Sequence, residues 1–197
     1  GIVTGLPVAH LITGGGNYCP GAGGVSIVLN GSATGINYQL FHGSVAAGSP
    51  IPGTGSALAL GMQTSTGTYT VVATNASTGC TNNMSGSTSV AVSTLPLVFN
   101  VSGTGAYCAG GTGLHVLLSG SNAGINYALY KDGVLTSTSL AGTGSPLDFG
   151  YHTSGAYSVI ATSTSTTCTN NMTGTALVTA NPLPDTFGVT GGGYYCE

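Results

Sequence analysis

Apolar side chains recur at every second position through most of the chain. Val25, Ile27 and Leu29 alternate with smaller or polar residues. Tyr38 and Leu40, Leu58 and Leu60, Tyr69, Val71 and Ala73, then Val90 and Val92 keep that period. A period of two gathers the apolar side chains on one face of a strand, whereas a helix would need a period of 3.6. Leu97, Phe99 and Val101 begin the pattern again. Gly, Asn or Pro punctuates nearly every gap, so no segment offers an uninterrupted amphipathic helix. Six or seven short strands in about 88 residues predict an antiparallel sandwich. A parallel sheet would require crossover helices that the sequence does not supply.

The alternation returns because the sequence does. Gly-Gly-Asn-Tyr-Cys at 15–19, Thr-Gly-Ala-Tyr-Cys at 104–108 and Gly-Gly-Tyr-Tyr-Cys at 192–196 are one element, spaced 108 − 19 = 89 and 196 − 108 = 88. Cys80 and Cys168 each open an identical Cys-Thr-Asn-Asn-Met stretch. Gly-Ile-Asn-Tyr recurs at 35–38 and 124–127, and Gly-Thr-Gly-Ser at 53–56 and 142–145. Leu-Pro pairs ending at Pro7, Pro96 and Pro184 mark the joints. The expected organisation is the last strand of a preceding repeat over 1–7, whole repeats over 8–96 and 97–184, and the first strand of a following repeat over 185–197.

Gly-Thr-Tyr-Thr-Val-Val-Ala at 67–73 and Gly-Ala-Tyr-Ser-Val-Ile-Ala at 155–161 resemble the penultimate strand of immunoglobulin-like domains. In that strand a Tyr hydrogen-bonds back across a corner, and Tyr69 and Tyr157 take its place. The chain as a whole resembles the tandem immunoglobulin-like repeats of very large secreted surface proteins of Bacteroidota-type bacteria. The residues carrying this likeness are Tyr107-Cys108, Gly110-Gly111, Leu118-Ser119-Gly120-Ser121, Gly124-Ile125-Asn126-Tyr127, Gly142-Thr143-Gly144, Gly155-Ala156-Tyr157 and Cys168, with counterparts around Cys19, Gly35 and Cys80. The resemblance implies export, a cell-surface or matrix location, and adhesion or fibre formation.

Five cysteines at a fixed spacing read as disulfides formed in an oxidising compartment. Each repeat has one near its start and one after the Tyr-bearing strand. The expected pairs are Cys19–Cys80 and Cys108–Cys168, leaving Cys196 for a partner outside the segment. Closing such a loop would stabilise each sandwich by roughly 4 kcal/mol in the chain-entropy model. Zinc is a poor alternative, since it wants four Cys or His ligands at close spacing. The four histidines do not recur: His10 aligns with Phe99, His115 with Ser26 and His152 with Gln63, while His42 falls beside Lys131-Asp132. His10 is expected to point inward in an aromatic position, and the other three to face solvent.

Charge changes the picture further. Only 3% of the residues are charged: Lys131 is the one basic side chain, and Asp132, Asp148, Asp185 and Glu197 are the acidic ones. Such a chain has no basic field for nucleic acid or anionic lipid. At 41% hydrophobic it is not a disordered polar tract. No apolar run approaches the ~18 residues that a spanning helix requires, so membrane insertion is not expected.

Catalytic chemistry finds no constellation that both repeats share. Asp148 and His152 are imaginable beside a serine as a triad, but their counterparts are Ala59 and Gln63. The Gly-rich segments 14–16 and 103–105 precede a Tyr-Cys strand, not the helix that a phosphate loop needs. Calcium would ask for several carboxylates, and the first complete repeat has no Asp or Glu. No cofactor is expected. Asn30, Asn75, Asn83, Asn100 and Asn171 each open a glycosylation sequon, although chance yields several in so Ser/Thr-rich a chain. The sequence therefore reads as a non-catalytic structural repeat of an extracellular fibre or stalk, partnered by neighbouring repeats. The competing reading is an adhesive module for glycans or other surfaces, with Tyr18, Tyr107, Tyr194 and Tyr195 as aromatic platforms. A Thr row over 162–169 faintly suggests ice binding, but one such loop per repeat is not a flat array.

Overall fold

The structure, a computed structural model, describes residues 5–197. Most of segment 1–7, expected to be a final strand, lies outside the described residues. The chain divides between Leu95 and Pro96 into two compact units, each an antiparallel-dominated β-sandwich.

In the first unit the strands are β1 (Ile12–Gly14), β2 (Gly16–Tyr18), β3 (Val25–Leu29), β4 (Ile36–His42), β5 (Val45–Ala46), β6 (Ile51–Pro52), β7 (Leu58–Gln63), β8 (Gly67–Asn75), β9 (Thr81–Asn83) and β10 (Thr88–Val92). A three-stranded sheet runs β1-β3-β7. A larger sheet runs β2-β10-β8-β4-β5, with β6 on β4 and β9 on β8. The second unit repeats the plan with β11 (Val101–Ser102), β12 (Gly105–Cys108), β13 (Leu114–Leu118), β14 (Ile125–Lys131), β15 (Val134–Ala141), β16 (Leu147–His152), β17 (Gly155–Ser163), β18 (Thr169–Asn171) and β19 (Ala176–Asn181). Its sheets run β11-β13-β16 and β12-β19-β17-β14-β15.

The period-two residues are the ones that fill the cores. Ile27, Leu29, Leu58 and Leu60 from the small sheet meet Tyr38, Leu40, Tyr69, Val71, Ala73 and Val90 from the large one. Val116, Leu118, Leu147 and Phe149 meet Tyr127, Leu129, Tyr157, Val159, Ala161 and Val178 in the second unit. Burying one such side chain is worth about 1.5–3 kcal/mol, so alternation alone dictates which face turns inward.

The first strand of each sandwich changes sheets partway along. β1 pairs antiparallel with β3, and β2 pairs parallel with β10. The Gly14-Gly15-Gly16 run makes the crossing with positive φ at all three residues. A Cβ on Gly14 would strike the Ser26 carbonyl, and one on Gly103 the His115 carbonyl. The glycines that look like a phosphate loop in composition are a backbone corner between two sheets.

The units differ at one edge. β15 is a continuous strand of eight residues on β14, whereas the first unit has only the fragments β5 and β6 there. Pro50 and Pro52 lack the N–H that a ladder needs, and Gly48 turns with φ of 76°. Beyond β19, residues 182–197 form no strand. The first-strand pattern expected over 185–197 has no sheet beside it to supply hydrogen bonds, and Tyr194 and Tyr195 are fully exposed.

Candidate functional site

Each repeated motif builds one polar device, and the device recurs in both units. Tyr69 is buried at the start of β8, and its hydroxyl donates to the Ser65 carbonyl at 2.8 Å. Tyr157 donates to the Thr153 carbonyl at 2.8 Å from the matching place on β17. The sandwich interior contains the rings, and each hydroxyl satisfies a carbonyl in the turn before its strand.

A second pair of tyrosines escapes the sequence reading. Tyr38 and Tyr127 are fully buried, and their hydroxyls accept from the backbone N–H of Ala33 and Asn122 at 2.9 and 3.0 Å. Beside them Ser32 and Ser121, also buried, donate to the carbonyls of Ser56 and Ser145, both at 2.6 Å. The same serine oxygens accept from the N–H of Thr54 and Thr143. The loop closes so tightly that a Cβ on Gly53 or Gly142 would collide with the carbonyl of Ala33 or Asn122. Gly-Ile-Asn-Tyr and Gly-Thr-Gly-Ser, separate motifs along the chain, are two halves of this knot. Their joint recurrence was the available signal.

The Cys-Thr-Asn-Asn-Met motif anchors the incoming chain. Asn82 donates its side-chain amide to the Pro7 carbonyl at 2.7 Å, and Asn170 to the Pro96 carbonyl at 2.9 Å. Met84 and Met172 are buried, and their sulfurs accept the N–H of His10 and Phe99, both at 3.3 Å. This end of each sandwich is its leading end. At the opposite, trailing end, the Ser93 N–H donates to the Tyr18 carbonyl at 2.8 Å and the Ala109 N–H to the Asn181 carbonyl at 2.8 Å.

These ends overturn the cysteine pairing expected within each repeat. Gly16 lies level with Val90, and Val90 with Gly67, so Cys19 sits beyond the Gly67 end of β8. The Cys80 carbonyl accepts from the Asn75 N–H at the other end of the same strand. From Gly67 to Asn75 is 75 − 67 = 8 steps, about 26 Å at ~3.3 Å per residue. A disulfide needs Cα atoms within about 7 Å. Cys108 and Cys168 are separated in the same way, with Gly105 level with Val178 and Val178 with Gly155, while the Cys168 carbonyl meets the Ser163 N–H. Cys168 and Cys19 are disulfide-bonded, whereas Cys108 is an exposed free thiol. Neither Cys19–Cys80 nor Cys108–Cys168 is compatible with these strands. Cys196 is an exposed thiol in segment 182–197.

The histidines are more engaged than their lack of recurrence implies. His10 takes the place of Phe99, its ring 6.4 Å from that of Tyr38 as Phe99 stands 6.5 Å from Tyr127. His42 stacks on Tyr69 at 4.8 Å and bonds the Thr66 carbonyl. His152 leans on Tyr157 and bonds the Phe149 carbonyl. Asp148 pairs with His115 at 2.7 Å rather than with His152, because β13 and β16 are adjacent and a bulge between His115 and Leu117 brings the two side chains together. The His115 hydrogen bond, helped by the Gly150 N–H, holds the Asp148 carboxyl below its ordinary value. Both side chains are open to solvent, at 40% and 49% exposure, and Tyr151 packs on the imidazole with ring centroids 3.9 Å apart. Among the described residues no group of three His, Cys, Asp or Glu side chains is placed to hold a metal.

Tyr18 and Tyr107 do not stand out as open platforms. Both pack partly buried against their cores, and the Tyr18 hydroxyl donates to the Thr64 carbonyl while the Tyr107 hydroxyl accepts from the Ser154 N–H.

No protein-family model matches the chain, and no curated protein matches it in sequence. Three solved structures similar to it share low sequence identity with it. The fibronectin(III)-like modules of Clostridium thermocellum CbhA are 16% identical, over 86% of this chain and 95% of that one, with a TM-score of 0.44. The human OSCAR ligand-binding domain is 12% identical, over 88% and 100%, with a TM-score of 0.37. The I9–I11 tandem from titin is 13% identical, over 88% and 61%, with a TM-score of 0.32. With TM-scores below 0.5, these likenesses add nothing to what the strands themselves show, two all-β sandwiches.

Proposed function

We propose that this chain is a non-catalytic structural segment of a large extracellular fibre, stalk or filament, in which successive immunoglobulin-like repeats are one another's main partners. The observation that carries the reading is the duplication of every internal device. The Tyr corner, the Tyr–Ser–Gly knot and the Asn clamp on the incoming proline all occur at equivalent positions in both units. Selection on such devices maintains a shape, and a shape made twice serves an array. The polar cluster that occurs once, Asp148 with His115, aligns with Ala59 and Ser26 in the other repeat.

An extracellular location follows from disulfide chemistry, which persists in oxidising compartments. Scarcity of charge leaves little repulsion between copies and favours close packing of repeats. Electron microscopy of the native material tests the reading. A fibre with a regular axial period supports it, and isolated soluble particles would overturn it.

One observation favours the adhesive alternative. Tyr151 is 61% exposed and meets the His115 ring edge-on at 60° beside the His115–Asp148 pair, an aromatic side chain next to hydrogen-bonding groups of the kind that sugars stack against. Tyr151→Ala abolishing retention on a glycan array, with the fold unchanged, would establish that reading in place of a purely structural one.

A further inference from the structure

We infer that the Asn30–Gly31 link is a site of spontaneous covalent modification, where the asparagine deamidates through a cyclic imide and gives the first sandwich a carboxylate it otherwise lacks. The chain has twelve asparagines, and Asn30 alone is followed by glycine. Ring closure brings the next residue's backbone nitrogen onto the side-chain carbonyl carbon, and a Cβ on that residue crowds the approach. Two packing demands create the pair. Residue 30 must supply an acceptor: the Leu11 N–H donates to Asn30 Oδ1 at 2.9 Å, as the Asn100 N–H donates to Ser119 Oγ at 2.9 Å in the second unit. Residue 31 must be glycine, because a Cβ there would stand 2.6 Å from the Nδ1 of His10, as one on Gly120 would stand 2.5 Å from the Phe99 ring. The second sandwich meets both demands with Ser-Gly and the first with Asn-Gly. Only the asparagine carries a carbonyl carbon that can be attacked.

The surroundings leave this pair ready to react. Asn30 is exposed in a bend just after β3, and Gly31 belongs to no strand. Among the described residues no hydrogen bond holds the Gly31 N–H or the Asn30 amide nitrogen, so nucleophile and leaving group are both free. The Leu11 N–H is aimed at the oxygen on which negative charge develops during attack. Asn30 also opens the sequon Asn30-Gly31-Ser32, but the Ser32 hydroxyl that sequon recognition requires is buried and donates to the Ser56 carbonyl. In the reaction the Gly31 nitrogen gives its proton to solvent base and bonds to Asn30 Cγ. The Cγ–Nδ2 bond then breaks, and the nitrogen takes a proton from water and leaves as ammonia. Water opens the imide at either carbonyl, giving aspartate or isoaspartate, with nothing oxidised or reduced. Either product adds one negative charge, and isoaspartate also lengthens the backbone by a methylene where β1 and β3 meet. All these groups belong to the first unit, so the reaction proceeds whether or not the chain is part of a fibre.

Ageing the whole folded chain at mildly alkaline pH, followed by intact mass and peptide mapping, tests the site. Asn30 should convert ahead of the other eleven asparagines. The signs are the mass gain of NH2 replaced by OH, an acidic shift on isoelectric focusing, and an isoaspartyl peptide that spans Asn30. Conversion should slow at mildly acidic pH, where the Gly31 N–H keeps its proton. It should be lost in Asn30→Ser, which retains an acceptor for Leu11 and should leave the denaturation midpoint of the first sandwich unchanged. An Asn30 that stays intact in the folded chain, whether or not it converts in urea, or one that lags another asparagine, would overturn the proposal.

Discussion

The hydroxyl of Tyr157 donates to the carbonyl of Thr153, four residues earlier, and locks the turn that feeds the longest strand of its sandwich. Tyr69 makes the same bond to Ser65. Replacing either by Phe keeps the buried ring and removes only the hydroxyl. The expected loss is about 1–2 kcal/mol, between a net hydrogen bond and a stranded carbonyl. Urea denaturation of Tyr69→Phe and Tyr157→Phe should shift only the transition of the mutated sandwich.

Gly142 offers a steric test of the knot. It does not need a positive φ, yet a Cβ there would run into the Asn122 carbonyl, which is backbone and has nowhere to go. Gly142→Ala, like Gly53→Ala in the other unit, should destabilise by about 1–3 kcal/mol through overpacking. Gly192→Ala, where nothing lies within 4 Å, should leave the midpoint unchanged.

His10→Phe is expected to stabilise the first sandwich. The His10 Nε2 is buried with no hydrogen-bond partner, at a position where the second sandwich has Phe99. Removing an unsatisfied polar atom and restoring an aromatic contact should be worth about 1 kcal/mol. Calorimetry would register it as a rise in the melting temperature of that unit alone.

Most of the fold was legible because period-two alternation has one solution for which face is inside. Ile27, Leu29, Tyr69 and Val71 are in the core for the reason that the pattern gave. The cysteine pairing was not legible, and the cause is arithmetic. In an 88-residue repeat, partners 80 − 19 = 61 or 168 − 19 = 149 apart are equally regular. Only strand register shows that the two cysteines of one repeat lie at opposite ends of its large sheet. The Tyr38 and Ser32 knot was missed for a related reason. Its two motifs start 53 − 35 = 18 residues apart, and a recurring motif announces that something is kept without saying what it touches. The histidines show the converse, since lack of recurrence does not leave a side chain without partners: His42 stacks on Tyr69, and His115, though open to solvent, pairs with Asp148.

The Asp148–His115 pair makes a small, signed contribution to acid stability. The Asp148 carboxyl is depressed from 3.8 in the folded state. Its stabilisation is therefore complete above that unfolded value and is lost as pH falls through the lower folded one. Both groups are half-exposed, which keeps the pair below about 1 kcal/mol. Denaturation midpoints measured from pH 5 down to pH 2 should fall less steeply in Asp148→Asn than in the parent, and only in the second sandwich.

Pulling a single reduced chain from its two ends tests the account most directly. Two sandwiches built from the same devices should unfold in two separate steps of similar size, each releasing the 168 − 80 = 88 residues of one repeat, about 30 nm of contour at about 3.6 Å per residue. A single step that releases both sandwiches together, or a chain that extends with no step at all, would contradict the account.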